Sequence, residues 1–260
     1  IHTSSMKVYS WDLKSLPKVP DKPRIEDMDA GIGFMLRKIQ WLTDEIVKVM
    51  ASNKLLKAKD PRLVENNIDE WMVSCSGKSF YKLIESYVVD LKQLDKRSLE
   101  RVSVKLDGIR TKRNYYVHQF YRDYASRQSE DAGSVESFLR KQMISLVELI
   151  GTINHARNEA NNIFRRVDSK VKAKKNEQRT ADLNSLKSVI SGIIRKRQTS
   201  TKYKEGFVLV STVVNDLVRS ESKNEWERMP GKPADKLESL GFEIGRDSEN
   251  DLIMVVRIRK

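Results

Sequence analysis

The chain contains almost no cysteine. Cys75 is the only one in 260 residues, which excludes an internal disulfide framework and a zinc site with cysteine ligands. A single thiol is typical of a reducing compartment, so we expect a cytoplasmic protein. Carboxylates and histidines with the spacing of metal ligands are also lacking. We therefore expect no metal and no other cofactor.

Long apolar runs are missing as well. The apolar stretches are short, such as Ile253–Val256, so we expect neither a transmembrane helix nor a membrane partner. The N-terminus has no charged segment followed by an apolar core, which argues against a signal peptide. Ile1–Ser5 precede Met6, and we interpret them as a tag remnant. No internal repeat of fixed period is visible.

Positive charge is abundant and concentrated in one part of the chain. The net charge is +13, and residues 165–204 hold 13 Lys and Arg against 3 Asp and Glu. Such a block is typical of proteins that bind a polyanion, most often nucleic acid. A solvated basic linker is the alternative. The residues expected to contact RNA are Lys170, Lys172, Lys174, Lys175, Arg195, Lys196 and Arg197.

The apolar spacing predicts a mainly α protein with a small α+β domain at the end. Prolines make residues 1–27, after the tag remnant, an extended arm. Apolar residues then recur every three or four positions over residues 28–168, which predicts a bundle of long helices. A basic helical linker is expected over residues 169–204. Residues 205–260 follow the order helix, helix and β-hairpin, as in a winged helix-turn-helix.

The boundaries of the predicted elements follow from the apolar spacing and from helix-ending signals. In the bundle and linker, the predicted helices cover residues 28–50, 63–72, 80–94, 98–124, 135–167 and 183–194. In the last domain, we predict a helix from Ser211, a helix over 234–240 that ends at Gly241, and strands over 242–244 and 252–258 joined by a turn at 247–251.

The most informative motif lies in the fourth predicted helix. Arg113 occupies a position in the apolar stripe of this helix. Burying an unpaired guanidinium there would lower the stability of the fold by several kcal/mol. Either it reaches an anionic partner, which could be a ligand or the carboxylate of Asp90 or Glu85, or this face of the helix opens onto a cleft. His118 lies about 140° round the helix and ~7.5 Å along it from Arg113. The two side chains could therefore line a groove formed where two such helices meet.

These residue types suit the cleavage of a phosphodiester. Arg113 would hold the phosphate through two parallel donors. His118 would transfer protons near neutral pH, and Asn114 would orient a 2′-hydroxyl or a phosphate oxygen. The candidate catalytic residues are thus Arg113, Asn114 and His118, and this scheme uses no metal.

Arg113-Asn114 followed by His118, late in a helical bundle, resembles the motif of the HEPN superfamily of ribonucleases. The resemblance covers about residues 28–168. It implies a symmetric dimer with one metal-independent endoribonuclease site, as in toxins, antiphage defence proteins and CRISPR effectors. The implied substrate is RNA, such as a tRNA or a phage or host transcript, and an antitoxin or other regulatory protein is an expected partner. The alternative is a non-catalytic RNA-binding or adaptor protein with the same dimeric scaffold.

The C-terminal domain is similar to the LOTUS domain, also called OST-HTH, a winged-helix type associated with RNA. The similar residues are Gly206–Ser211 and Lys236–Ile244. Residues 205–260 hold 9 Lys and Arg against 11 Asp and Glu. This balance argues against a strong phosphate-binding surface there, and so against a DNA-binding regulator.

Two further features have simpler structural explanations. His155 has no partner at a spacing that indicates chemistry, so we expect it to be structural. An aromatic cluster is expected to pack in the core or in the dimer interface, with stacking of RNA bases as the alternative. Its members are Tyr115, Tyr116, Phe120, Tyr121 and Tyr124.

Overall fold

The computed structural model describes residues 18–94, 96–198, 207–246 and 254–259. The helices in these ranges are α1 (Ile25–Lys57), α2 (Pro61–Glu65), α3 (Ile68–Ser76), α4 (Phe80–Leu94), α5 (Lys96–His118), α6 (Phe120–Ser126), α7 (Ala132–Gln198), α8 (Val210–Val218), α9 (Lys223–Arg228) and α10 (Pro233–Ser239). The strands are β1 (Val208–Leu209), β2 (Phe242–Arg246) and β3 (Met254–Ile258). The described chain is therefore mainly helical with one small antiparallel sheet, which confirms the predicted class.

Some of the predicted features lie outside the described residues. They are the tag remnant with most of the arm (1–17), the end of the linker (199–204), Gly206 and the hairpin turn (247–251). Among the helices that the structure does describe, none combines the length and the apolar character needed to cross a membrane.

The chain divides into two compact units, residues 1–173 and 174–260. The division falls inside α7 and differs from the predicted boundaries at residues 168 and 204. Leu186, Ile190 and Ile194 are buried in the core of the second unit. They recur every four residues, so they lie on one side of the helix and pack together. The basic stretch expected as a linker thus supplies a core helix of the second unit.

Helix α1 lies at the centre of the first unit. It contacts α2, α3, α4 and α5, and its apolar residues recur at three- and four-residue steps on the buried side. Residues of α1 that are fully buried include Met28, Met35, Leu42, Ile46 and Val49. Helix α5 packs on α1 and α4, while its Leu106 and Ile109 are buried in the same core. This packing fixes the orientation of the helix that carries the motif.

Three helix boundaries differ from the prediction. The helix predicted over 63–72 is divided into α2 and α3 at Asn66 and Asn67, residues whose side chains compete for backbone hydrogen bonds. The helix predicted over 98–124 ends at His118 and restarts at Phe120. The helices predicted over 135–167 and 183–194 are one helix, α7. The stretch between them is rich in lysine, arginine, glutamine and alanine, which propagate a helix well.

The second unit combines a three-stranded sheet with helices. The strand order is β1-β3-β2, all antiparallel, and Val256 of β3 pairs with Val208 on one side and Ile244 on the other. Strand β1 is not predicted from the sequence. Gly241 follows α10 with a φ of 88°, a left-handed conformation that glycine adopts without strain, as expected at this helix end. Trp226 and Phe242 are buried in the core.

Two ion pairs with two hydrogen bonds each connect elements of the second unit. Arg197 at the end of α7 donates to Asp216 of α8 at 2.8 and 2.9 Å. Arg257 of β3 donates to Glu243 of β2 at 2.9 and 2.8 Å. The hydrogen bonds from Arg197 lower the pKa of the Asp216 carboxyl, and those from Arg257 lower the pKa of Glu243. Both pairs therefore stabilise the folded unit while the carboxylates are ionised.

Asp216→Asn should lower the urea midpoint of the second unit more at pH 7 than at pH 2. The pKa of Asp216 is lower in the folded protein than in the unfolded chain. Its contribution is therefore present above the unfolded value of about 3.9 and is lost as the pH falls through the folded value. Glu238→Gln, which removes an exposed carboxylate of α10, is the control. An equal destabilisation at both pH values would contradict the assignment.

Candidate functional site

Arg113 lies near the end of α5, in the stripe that packs into the core. The neighbouring residues of this stripe, Val102, Leu106, Ile109 and Tyr116, are buried, whereas Arg113 is only half-buried. Its guanidinium Nη1 donates to Oδ1 of Asn114 at 2.9 Å. Among the described residues, no carboxylate forms an ion pair with it. Arg113 thus presents a partly desolvated positive charge whose hydrogen-bond partner is neutral.

The two carboxylates considered as partners for Arg113 are engaged elsewhere. Asp90 accepts hydrogen bonds from Asn53 at 2.8 Å and from Lys57 at 3.0 Å. Glu85 forms a hydrogen bond with Tyr81 that raises the pKa of the phenol. A structural ion pair of Arg113 with either residue is therefore not found in the described part of the chain.

Asn114 is exposed and follows Arg113 on the next position of the helix. Its side-chain oxygen accepts the hydrogen bond from Arg113, so it holds one edge of the guanidinium without neutralising the charge. The sequence predicts that Asn114 orients a 2′-hydroxyl or a phosphate oxygen of the substrate. In the structure, its oxygen orients the arginine, and the amide NH₂ is the part that can still donate to a ligand.

His118 is the last residue of α5 and is exposed. No described residue forms a hydrogen bond or ion pair with its side chain. Because Arg113 and His118 lie five residues apart on one helix, their side chains diverge by about 140°. One chain therefore does not bring the two catalytic candidates together.

The aromatic cluster packs mainly in the core, as favoured by the sequence analysis. Tyr116 and Phe120 are fully buried, and Phe120 stacks on Phe138 with ring centres 6.1 Å apart. Burial, with Asp123 nearby, raises the pKa of Tyr115 to about 12. Burial and the hydrogen bond to Asp29 raise the pKa of Tyr121 to about 12. These two phenols therefore stay protonated near neutral pH.

The residues expected to contact RNA differ in their solvent exposure and in their ion pairs. Lys170, Lys172, Arg195 and Lys196 are exposed, whereas Lys174 and Lys175 are half-buried. Lys172 forms an ion pair with Asp168 at 2.8 Å and stays 73% exposed. Arg197 donates two hydrogen bonds to Asp216, so part of its guanidinium is used within the protein. No local spacing relates Arg197 to Asp216, which is why the sequence analysis did not anticipate this pair.

A charged cluster between α5 and α7 is not predicted from the sequence. Lys105 donates to Glu159 at 3.1 Å and approaches Nδ1 of His155 at 3.1 Å. Arg101 lies 3.4 Å from the same Glu159 oxygen, Oε1. The sequence does show that Arg101 and Lys105 are four residues apart, as are His155 and Glu159. This spacing places the members of each pair on one side of their helix. The meeting of the two pairs depends on how the helices pack.

No protein-family model, no curated protein and no solved structure matches this chain. The resemblances to HEPN ribonucleases and to LOTUS domains therefore depend on the motif residues alone. Within the described ranges, no three His, Cys, Asp or Glu side chains come together in a way that could hold a metal ion.

Asn114→Asp should impair RNA cleavage more than Asn114→Ala does. The aspartate would place a carboxylate where the amide oxygen now lies, 2.9 Å from the guanidinium, and so compete with a phosphate for Arg113. Alanine removes the orienting bond but leaves the charge free. We expect at least a tenfold difference in single-turnover cleavage rate, equivalent to about 1.4 kcal/mol.

Asn66→Asp controls for the added negative charge, since Asn66 is exposed at the end of α2 and far from the motif in sequence. Equal cleavage by the aspartate and alanine variants at position 114 would show that Arg113 does not act through its free charge.

Proposed function

We propose that this chain is a metal-independent endoribonuclease that acts as a homodimer, with Arg113 and His118 as its catalytic residues. The observation that carries the proposal is the half-buried guanidinium of Arg113, which has a neutral partner in a stripe of buried apolar residues. A charge in such a position needs an anion or access to solvent, because burial without either is costly. The exposed imidazole of His118, five residues on, supplies proton transfer near the same helix end.

Arg113 would bind the scissile phosphate. Its planar guanidinium can donate two parallel hydrogen bonds to phosphate oxygens, and it stays charged at every physiological pH. Partial burial strengthens this interaction because solvent screens it less. The interaction grows as negative charge accumulates on the phosphate in the transition state, so it lowers the barrier as well as binding the substrate. Asn114 would keep the guanidinium in position.

His118 would move the protons of the reaction. It accepts the proton of the RNA 2′-hydroxyl while O2′ forms a bond to the adjacent phosphorus. The bond from phosphorus to O5′ breaks, and the departing oxygen takes up a proton from an imidazolium. The products are an RNA ending in a 2′,3′-cyclic phosphate and an RNA beginning with a 5′-hydroxyl. The nucleophile belongs to the substrate, so the protein needs only to bind charge and transfer protons.

The divergence of Arg113 and His118 on one helix is the reason to propose a dimer. Two copies related by a two-fold axis can bring Arg113 of one copy next to His118 of the other in a shared groove. The HEPN resemblance implies the same arrangement. It also suggests a role as a toxin or antiphage defence effector in the cytoplasm, acting on a tRNA or on phage or host transcripts and controlled by an antitoxin or other protein.

The exposed cations proposed to contact RNA are Lys170 and Lys172 in the first unit, and Arg195 and Lys196 in the second. The second unit also contributes to this proposal, because residues 174–260 hold 18 Lys and Arg against 13 Asp and Glu, a net charge of +5. The acidic balance of residues 205–260 alone therefore does not exclude RNA binding by the unit that contains them. A LOTUS-like winged helix would be consistent with RNA binding. The β1-β3-β2 sheet order is consistent with a winged helix.

His118→Gln should reduce RNA cleavage by about 10²–10⁴-fold, because glutamine keeps a polar side chain of similar size but cannot act as a general acid or base near neutral pH. RNA affinity should stay close to that of the wild type, since Arg113 is unchanged. Gln119→Ala is the matched control, because Gln119 is exposed at the same helix break and makes no side-chain cap. The measurement is single-turnover cleavage of a labelled RNA, with and without EDTA and beside its DNA counterpart.

The control variant should cleave normally, EDTA should have no effect, and DNA should survive because it lacks the 2′-hydroxyl. RNA binding by a wild-type protein that never cleaves would favour the adaptor alternative. Full cleavage by His118→Gln, loss of activity in EDTA, or cleavage of DNA would each contradict the proposed mechanism.

A further inference from the structure

The cluster of Arg101, Lys105, His155 and Glu159 has more hydrogen-bond donors than acceptors. The Lys105 ammonium has three N–H groups, of which one reaches Glu159 and one faces Nδ1 of His155. When Nδ1 of His155 accepts this bond, the neutral ring carries its proton on Nε2, which is a further donor. The guanidinium of Arg101 lies near one Glu159 oxygen, but the side chain is 64% exposed. Several donors therefore have no acceptor among the residues that the structure describes.

Glu159 lies on the buried side of the cluster and pairs with Arg101 and Lys105. Its side chain is only 16% exposed, and its Oε2 is buried with no hydrogen-bond partner among the described residues. The carboxylate thus faces inward, while Arg101 and His155 face solvent at 64% and 60% exposure. One negative charge against two permanent positive charges leaves an excess of +1 on the outer side. An anion approaching from solvent would meet the cations first.

The position of the cluster relates it to the motif. Lys105 and Arg113 lie on the same helix, eight residues and thus ~12 Å apart along its axis. Lys112, which is exposed, lies about 20° round the helix from Lys105 and next to Arg113 in sequence. Arg101, Lys105 and Lys112 therefore form a row of cations on one side of α5, and the row ends one residue before Arg113, whose side chain lies about 100° further round the helix. A nucleic-acid backbone is a ligand that carries phosphates at repeated spacing along such a row.

We propose that Arg101, Lys105 and His155 form a second phosphate-binding site, which holds a backbone phosphate of the RNA substrate away from the cleaved bond. Glu159 is the positioning residue of this site. The inference depends on RNA being the ligand, as in the proposed function, and it adds that the substrate must extend from the cleaved bond along α5. A single-stranded segment that continues past the scissile phosphate would satisfy both sites.

The test measures binding of a short 2′-O-methyl oligonucleotide, which this mechanism cannot cleave, to the full chain at several salt concentrations. The double variant Arg101→Gln and Lys105→Gln should weaken binding and lower the salt slope by about 0.7 for each lost phosphate contact. The control Arg37→Gln and Lys82→Gln removes two exposed charges from α1 and α4 and should leave the slope unchanged. Circular dichroism verifies that both variants fold.

A second readout uses the ring signals of His155 in NMR spectra of the wild-type protein. The chain has only three histidines, and the His155→Gln variant assigns these signals. These signals should shift as the oligonucleotide is added. The shift should reach its plateau at the same protein-to-oligonucleotide ratio as the fluorescence anisotropy of the labelled oligonucleotide. Signals that stay fixed while the probe binds would overturn the proposal, as would equal salt slopes for the two double variants. The NMR result decides alone if the cluster variant does not fold.

The outcomes separate this site from the nuclease proposal. A shift of the His155 signals in a protein that never cleaves unmodified RNA would support the phosphate site and contradict the nuclease. Normal cleavage with unchanged slopes and fixed His155 signals would contradict the phosphate site alone. A wild-type protein that binds no oligonucleotide at low salt would contradict both.

Discussion

The positive charge of Arg113 is set among residues that are otherwise buried and apolar, and the other features of the site follow from this constraint. A guanidinium at this position needs an anion or access to solvent, because burial without either is costly. The structure keeps it half-buried and gives it the neutral oxygen of Asn114 as a partner. The charge is therefore preserved and oriented, a combination that binds a phosphate more strongly than a freely solvated arginine would.

Helix packing explains why this charge is available. Asp90 is held by Asn53 and Lys57, so it does not reach Arg113. The cations of the α5 and α7 cluster are instead arranged round Glu159, a single carboxylate that cannot neutralise them all. In the second unit, by contrast, Arg197 is paired with the Asp216 carboxylate through two hydrogen bonds. Positive residues of similar sequence context thus differ in how far their charge is compensated, because tertiary contacts decide which of them have a carboxylate partner.

Much of the fold follows from local sequence signals, but the site does so only in part. Three- and four-residue apolar spacing predicts most helices, and Gly241 predicts the left-handed end of α10. The unbroken α7 was missed because its polar middle lacks an apolar stripe while still favouring helix. The His155 cluster and the Arg197 pair were missed because each joins residues from different helices. Such contacts depend on packing, whereas Arg113 was found because it interrupts a regular local pattern.

The most direct measurement of the central claim is complementation between inactive variants. Arg113→Ala and His118→Ala, each purified alone, should be unable to cleave RNA. If Arg113 of one copy acts with His118 of the other, a mixed dimer of the two variants contains one complete site. Co-expression should then restore cleavage, because about half of randomly formed dimers are mixed and each mixed dimer brings one intact Arg113 together with one intact His118. Copurified mixed dimers as inactive as either variant alone would contradict the shared site.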